Sequence, residues 1–117
     1  MPALLLAGVV FFAAQTVNVH ASFVGPGGRG SFNGTYTVKG GRGGFLWTIL
    51  FFDAGRVARA DVRVGNGVLF PLCAPCTVGQ SGATKLTRRG MRLLESGSAS
   101  VVLVGTRGQA RGRITTR

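Results

Sequence analysis

The feature that most constrains this chain is a two-residue hydrophobic period, cut into short runs by clusters of glycine. Residues 57–64 read VARADVRV, with Ala58, Ala60, Val62 and Val64 on one parity and Arg59, Asp61 and Arg63 on the other. Successive side chains of a strand point to opposite faces, so this run describes a strand with one face in a core and one in water. Residues 31–38 (SFNGTYTV) repeat the pattern, with Phe32, Tyr36 and Val38 inward and Asn33, Thr35 and Thr37 outward. Residues 45–52 (FLWTILFF) are almost wholly apolar and predict a central, buried strand. Residues 68–72 (VLFPL) predict a short strand whose Pro71 marks an edge or an end. Residues 99–104 (ASVVLV) predict another buried strand, and 109–115 set Ala110, Gly112 and Ile114 against Arg111 and Arg113. Asn66-Gly67 is a hairpin-turn signal.

One helical signal stands apart, at 88–96. Thr87 can cap it, Met91, Leu93 and Leu94 supply an apolar side, and Gly97 ends it. Short strands about 8–12 residues apart with glycine-rich turns predict an all-β Greek-key sandwich or barrel of about seven or eight strands. The expected core comprises Phe32, Tyr36, Trp47, Ile49, Phe51, Val62, Val64 and Val102.

Residues 1–14 (MPALLLAGVVFFAA) are uncharged and strongly apolar. The run has the length of an export-signal apolar region and falls short of the roughly 20 residues a spanning helix needs. Val19-His20-Ala21 then places small residues three and one positions before a cut. The expectation is a signal peptide over 1–21 and a single domain over 22–117, secreted or held at the cell surface, without a transmembrane span after cleavage. A leader normally opens on Lys or Arg, and none stands here; the run also suits an uncleaved anchor or a buried segment of the domain.

Cys73 and Cys76 are the only cysteines, in LCAPC. In an oxidising compartment they are expected to form a local disulfide. A thioredoxin-like redox pair would need a helix after the first cysteine, whereas Pro71, Pro75 and Gly79 describe a loop. Free thiols remain the other alternative.

The formal net charge is +11, from 14 Lys+Arg against 3 Asp+Glu, with a single histidine. The acids are Asp53, Asp61 and Glu95, scattered along the chain, and the expected cut removes His20. Ser-His-Asp and Cys-His mechanisms, histidine-rich metal sites and carboxylate-pair hydrolysis therefore lack their parts. No catalytic, cofactor-binding or metal-binding residue is expected, and no enzyme. The arginine surplus can attract polyanions such as cell-wall polymers, acidic polysaccharide, anionic lipid or nucleic acid. Arg59, Arg63, Arg111 and Arg113 are the candidate polyanion-binding residues, forming one patch if their strands are neighbours. Export favours anionic surfaces outside the cell over nucleic acid; the plainer alternative is a solvated face.

Other motifs are weaker. Gly25-Pro26-Gly27-Gly28-Arg29-Gly30 matches a dinucleotide fingerprint, but a strand follows instead of a helix. GGRGSF and GGRGGF resemble RNA-binding Arg-Gly segments but abut strands, so turn glycines are the better reading. Asn33-Gly34-Thr35 fits the N-glycosylation acceptor pattern.

From about residue 29 to 115 the pieces Gly30-Ser31-Phe32-Asn33-Gly34, Leu46-Trp47-Thr48-Ile49, Ala60-Asp61-Val62-Arg63-Val64-Gly65, Leu72-Cys73-Ala74-Pro75-Cys76, Leu86-Thr87, Val101-Val102-Leu103-Val104-Gly105-Thr106 and Gly108-Gln109-Ala110-Arg111-Gly112-Arg113-Ile114 follow one another. Their order and spacing resemble the CHRD domain, a family of secreted proteins named after chordin. The resemblance implies a Greek-key sandwich similar to copper-zinc superoxide dismutase. The departures concern chemistry. Where the family pattern has the histidines of A-H-I-H, this chain has Asp61 and Arg63; where it has V-N-V-H-T, this chain has Leu103 and Gly105; the closing Glu is Gln109. Asp61 and Arg63 share a strand face, so a surface ion pair worth at most about 1 kcal/mol is expected there. Together these features describe an exported, non-enzymatic module with a structural or extracellular binding role, with polyanion binding as the alternative and a metal or redox protein as the least favoured.

Overall fold

The computed structural model describes residues 15–38, 43–53 and 55–116. It forms one antiparallel sheet curled into a nearly closed barrel or sandwich. The strands are β1 (Gln15–Gly25), β2 (Gly28–Val38), β3 (Gly43–Asp53), β4 (Val57–Val64), β5 (Gly67–Cys73), β6 (Ser81–Leu86), β7 (Ala99–Gly105), β8 (Gly108–Arg113) and β9 (Thr115–Thr116), with helix α1 (Arg88–Glu95) between β6 and β7. The strand order is β5-β4-β7-β8-β1-β2-β3-β6, and β9 pairs with β1.

The chain passes from one half to the other between β3 and β4, returns between β5 and β6, and crosses again through α1. The loop after β5 bonds to β4 and to β3, each one strand in from an edge of the sheet. In it Cys76 N donates to Val57 O of β4 (3.1 Å), while Gln80 O accepts from Ile49 N of β3 (2.9 Å). Helix α1 begins as expected, with Gly90 N donating to the Thr87 side chain at 3.1 Å. Its Met91 and Leu94 are buried against the barrel interior.

Alternation explains the core. Val19, Ala21 and Phe23 of β1, Phe32 and Tyr36 of β2, Phe45, Trp47 and Ile49 of β3, and Ala60 and Val62 of β4 all point inward and are buried. So do Val101, Leu103, Ala110 and Ile114. Two inward glycines make room for aromatic rings: a Cβ at Gly34 would run into Phe45, and one at Gly82 into the Trp47 indole.

Four expectations need correction. First, the domain begins earlier than residue 22. β1 pairs with β2 from Gln15 to Gly25 and contacts β8, so a cut after Ala21 would fall inside a central strand. His20 therefore belongs to the folded domain. Second, Phe51 is 48% exposed. The β2–β3 register shifts between Ser31 and Phe32, so Leu50 is the extra residue of a bulge and Phe51 turns outward opposite Ser31. Third, Ala58 is exposed because β4 carries a similar irregularity between Val57 and Arg59. Val64 is only half-buried, and Val102 is buried on the outer side, in a row with Asp61 and Arg111. Fourth, the β4–β5 turn is Gly65-Asn66, one residue earlier than the Asn66-Gly67 signal, because the left-handed φ of +61° falls on Gly65. The side chain of Val38 lies outside the described residues.

Candidate functional site

The four candidate arginines reach one face from two strands that are not neighbours. β7 lies between β4 and β8 and pairs with both. Its register aligns Arg59 with Val104 and Gln109, Asp61 with Val102 and Arg111, and Arg63 with Ser100 and Arg113. Arg59, Asp61, Arg63, Arg111 and Arg113 thus share the outer face of β4, β7 and β8. β4 and β8 are two strand spacings apart, roughly 10 Å. The sequence anticipated the shared parity; it could not supply the intervening strand.

Within this face the arginines are not equivalent. Arg63 Nε donates to Asp61 Oδ1 at 2.6 Å, and Nη2 to Oδ2 at 3.4 Å. The expected surface pair is in fact largely covered, with side-chain exposures of 15% for Arg63 and 8% for Asp61. Val102, itself buried, is the cross-strand neighbour of Asp61 in this row. Arg111 donates from Nη2 to Gly65 O, which pins its guanidinium over the β4–β5 turn. Arg59 and Arg113 are exposed. Their charges, with the remaining donors of Arg111, are the ones an external anion meets first.

Cys73 and Cys76 form the expected disulfide, joining the end of β5 to the residue bridged to Val57. It anchors the loop that closes the barrel.

On the other half a second constellation appears that sequence reasoning missed, because it discarded His20 with the leader. Thr115, His20, Asn33, Thr48 and Ser81 lie opposite one another across β9, β1, β2, β3 and β6. His20 Nδ1 lies 2.7 Å from Asn33 Oδ1, and Nε2 lies 3.2 Å from Ser22 Oγ. Thr48 and Ser81 hydroxyls meet at 2.9 Å. Asn33, the residue of the glycosylation pattern, sits mid-strand and is held by His20 instead of standing free in a loop.

Tyr36 Oη is buried and makes no hydrogen bond of acceptable geometry among the described residues. Burial first, and then the nearby Glu95 carboxylate, push its phenol up from 10.0 to about 12. Among the described residues no three of His, Cys, Asp and Glu are grouped closely enough to hold a metal ion. The Cys73–Cys76 disulfide fits an extracytoplasmic protein. Among the described residues no helix is long and apolar enough to cross a membrane.

The site and fold define a disulfide-bonded, all-β barrel with one strongly basic face. No family model, curated protein or solved structure matches the chain.

Proposed function

We propose that this chain is an exported, non-enzymatic module of the CHRD type whose role is binding, and that its arginine face docks on anionic polymers outside the cell. The observation that carries the reading is the convergence of Arg59, Arg63, Arg111 and Arg113 on the outer face of β4, β7 and β8. Opposite charge concentrated on one face attracts a polyanion, and the attraction weakens as salt screens it. Asp61 pairs with Arg63 and offsets its charge, so Arg59, Arg111 and Arg113 supply the net attraction of the face. The scarcity of acids and the lone histidine support a non-catalytic role, and the disulfide supports an oxidising compartment.

The test is retention on heparin and on a teichoic-acid-type phosphate polymer, with the double variant Arg59→Ser/Arg113→Ser. Both residues are exposed, so the variant keeps the fold. Earlier elution by salt, with affinity lowered about tenfold or more, is the expected result; two lost contacts to charged groups account for a fall of that size. Unchanged retention sinks the polyanion reading. Export is tested separately by the mature N-terminus: cleavage is expected before Gln15, because β1 belongs to the sheet.

A further inference from the structure

The outer face of β1, β2, β3 and β6 differs from the arginine face in every chemical respect. Three successive cross-strand rows occupy it: Ser22–Ser31–Phe51, His20–Asn33–Thr48–Ser81, and Asn18–Thr35–Leu46–Ala83. None contains a residue with formal charge at neutral pH, in a chain whose net charge is +11. Beyond one margin of the rows lie Arg29 and Asp53, with Arg111 of β8 across from Val24, and beyond the other lies Lys85.

From these rows we propose that this face binds a neutral, extended polysaccharide, at a site separate from the arginine face. Asn33, Thr35, Leu46, Thr48 and Ser81 line a groove of about 450 Å³, and a second hollow of about 160 Å³ continues it past Asn18. Hydroxyl and amide groups both donate and accept, as sugar hydroxyls require. The pairs Asn18–Thr35, His20–Asn33 and Thr48–Ser81 are already hydrogen-bonded, so little side-chain ordering remains when a ligand arrives. Leu46, 61% exposed, and the outward Leu50 and Phe51 offer apolar surface to the C–H faces of sugar rings. Strands sit about 4.8 Å apart, so a row crossing four of them spans roughly 14 Å. An extended β-1,4-linked chain advances by a comparable step per sugar, which matches about one sugar to each strand. A peptide adding to the sheet would need an unpaired strand edge, whereas these side chains lie on the face of paired strands. An anionic ligand would find no cation within the rows.

The chain has one histidine and one tryptophan, so the His20 imidazole gives a single, site-specific NMR signal and Trp47 a single indole N–H under the groove floor. The test is titration of the uniformly labelled full chain with cellohexaose and with chitohexaose. Shifts at the His20 imidazole and at the Asn33, Thr48 and Ser81 amides, insensitive to added salt, are expected with at least one of them. Thr48→Val and, independently, Ser81→Ala should each weaken binding about threefold to tenfold, the range for one lost hydrogen bond. No shift with either sugar at millimolar concentration overturns the proposal. So do shifts confined to Arg59, Arg111 and Arg113, or shifts abolished by salt.

Discussion

On the β4–β7–β8 half, outward positions carry Arg59, Asp61, Arg63, Arg111 and Arg113; on the β1–β2–β3–β6 half they carry Asn18, His20, Asn33, Thr48 and Ser81. Both halves follow the same alternation and fill one core. The difference lies in how each outer face satisfies its polar groups. The basic half buries a carboxylate and holds it with one guanidinium, so each partner depends on the other. The uncharged half uses neutral pairs that are partly open to water, and each group can exchange its partner for solvent. A shared fold therefore leaves the two surfaces free to diverge in both chemistry and fragility.

The comparison is broken most forcefully at Arg63. Replacing it with Ala leaves the Asp61 carboxylate covered and unpaired, and should cost about 3 kcal/mol or more of unfolding free energy in urea. The double change Asp61→Leu/Arg63→Met should recover most of that loss, because it removes both charges and keeps the volume. If Arg63→Ala costs less than about 1 kcal/mol, the value of an exposed pair, the two faces do not differ in this way.

Next in size is an alkaline limb carried by the uncharged half. Tyr36 binds its proton more tightly when folded, with its phenol at about 12 against 10.0. Below pH 10 the proton is present in both states and the folded state keeps its advantage. Between pH 10 and 12 the unfolded chain ionises first, so stability falls as pH rises. The shift of about two units corresponds to about 2–3 kcal/mol. Tyr36→Phe should remove this limb while costing little at neutral pH, since among the described residues the hydroxyl it deletes makes no hydrogen bond. A limb unchanged in Tyr36→Phe would place its origin elsewhere.

The smallest effect expected is at Thr48. Thr48→Val breaks the Thr48–Ser81 contact on a face where water can replace it, and should shift stability by only about 0.5 kcal/mol. A loss as large as that of Arg63→Ala would erase the distinction between the halves.

Much of this architecture is legible along the chain. The parities of residues 57–64 and 109–115 place Arg59, Arg63, Arg111 and Arg113 on outward positions, and Thr87 and Gly97 bracket the helix. The errors of facing share one physical cause. Parity is local, and a single inserted residue reverses it: the bulge beside Ile49 turns Phe51 to solvent, and the irregularity after Val57 exposes Ala58. β1 escaped notice because a cut after Ala21 fitted the short-range pattern of small residues. Only pairing with β2 shows that Val19 and Ala21 belong to the core.

The sequence by itself determined the all-β class, the disulfide partners, the helix boundaries and the surplus of arginine, since each depends on residue types a few positions apart. Tertiary structure alone decided that β7 stands between β4 and β8, that Asp61 is covered, and that His20, Asn33, Thr48 and Ser81 form a row. Those facts depend on the register between distant strands. Register is settled by how the whole core packs around Trp47, Phe45 and their facing glycines, and no stretch of the chain carries that information alone.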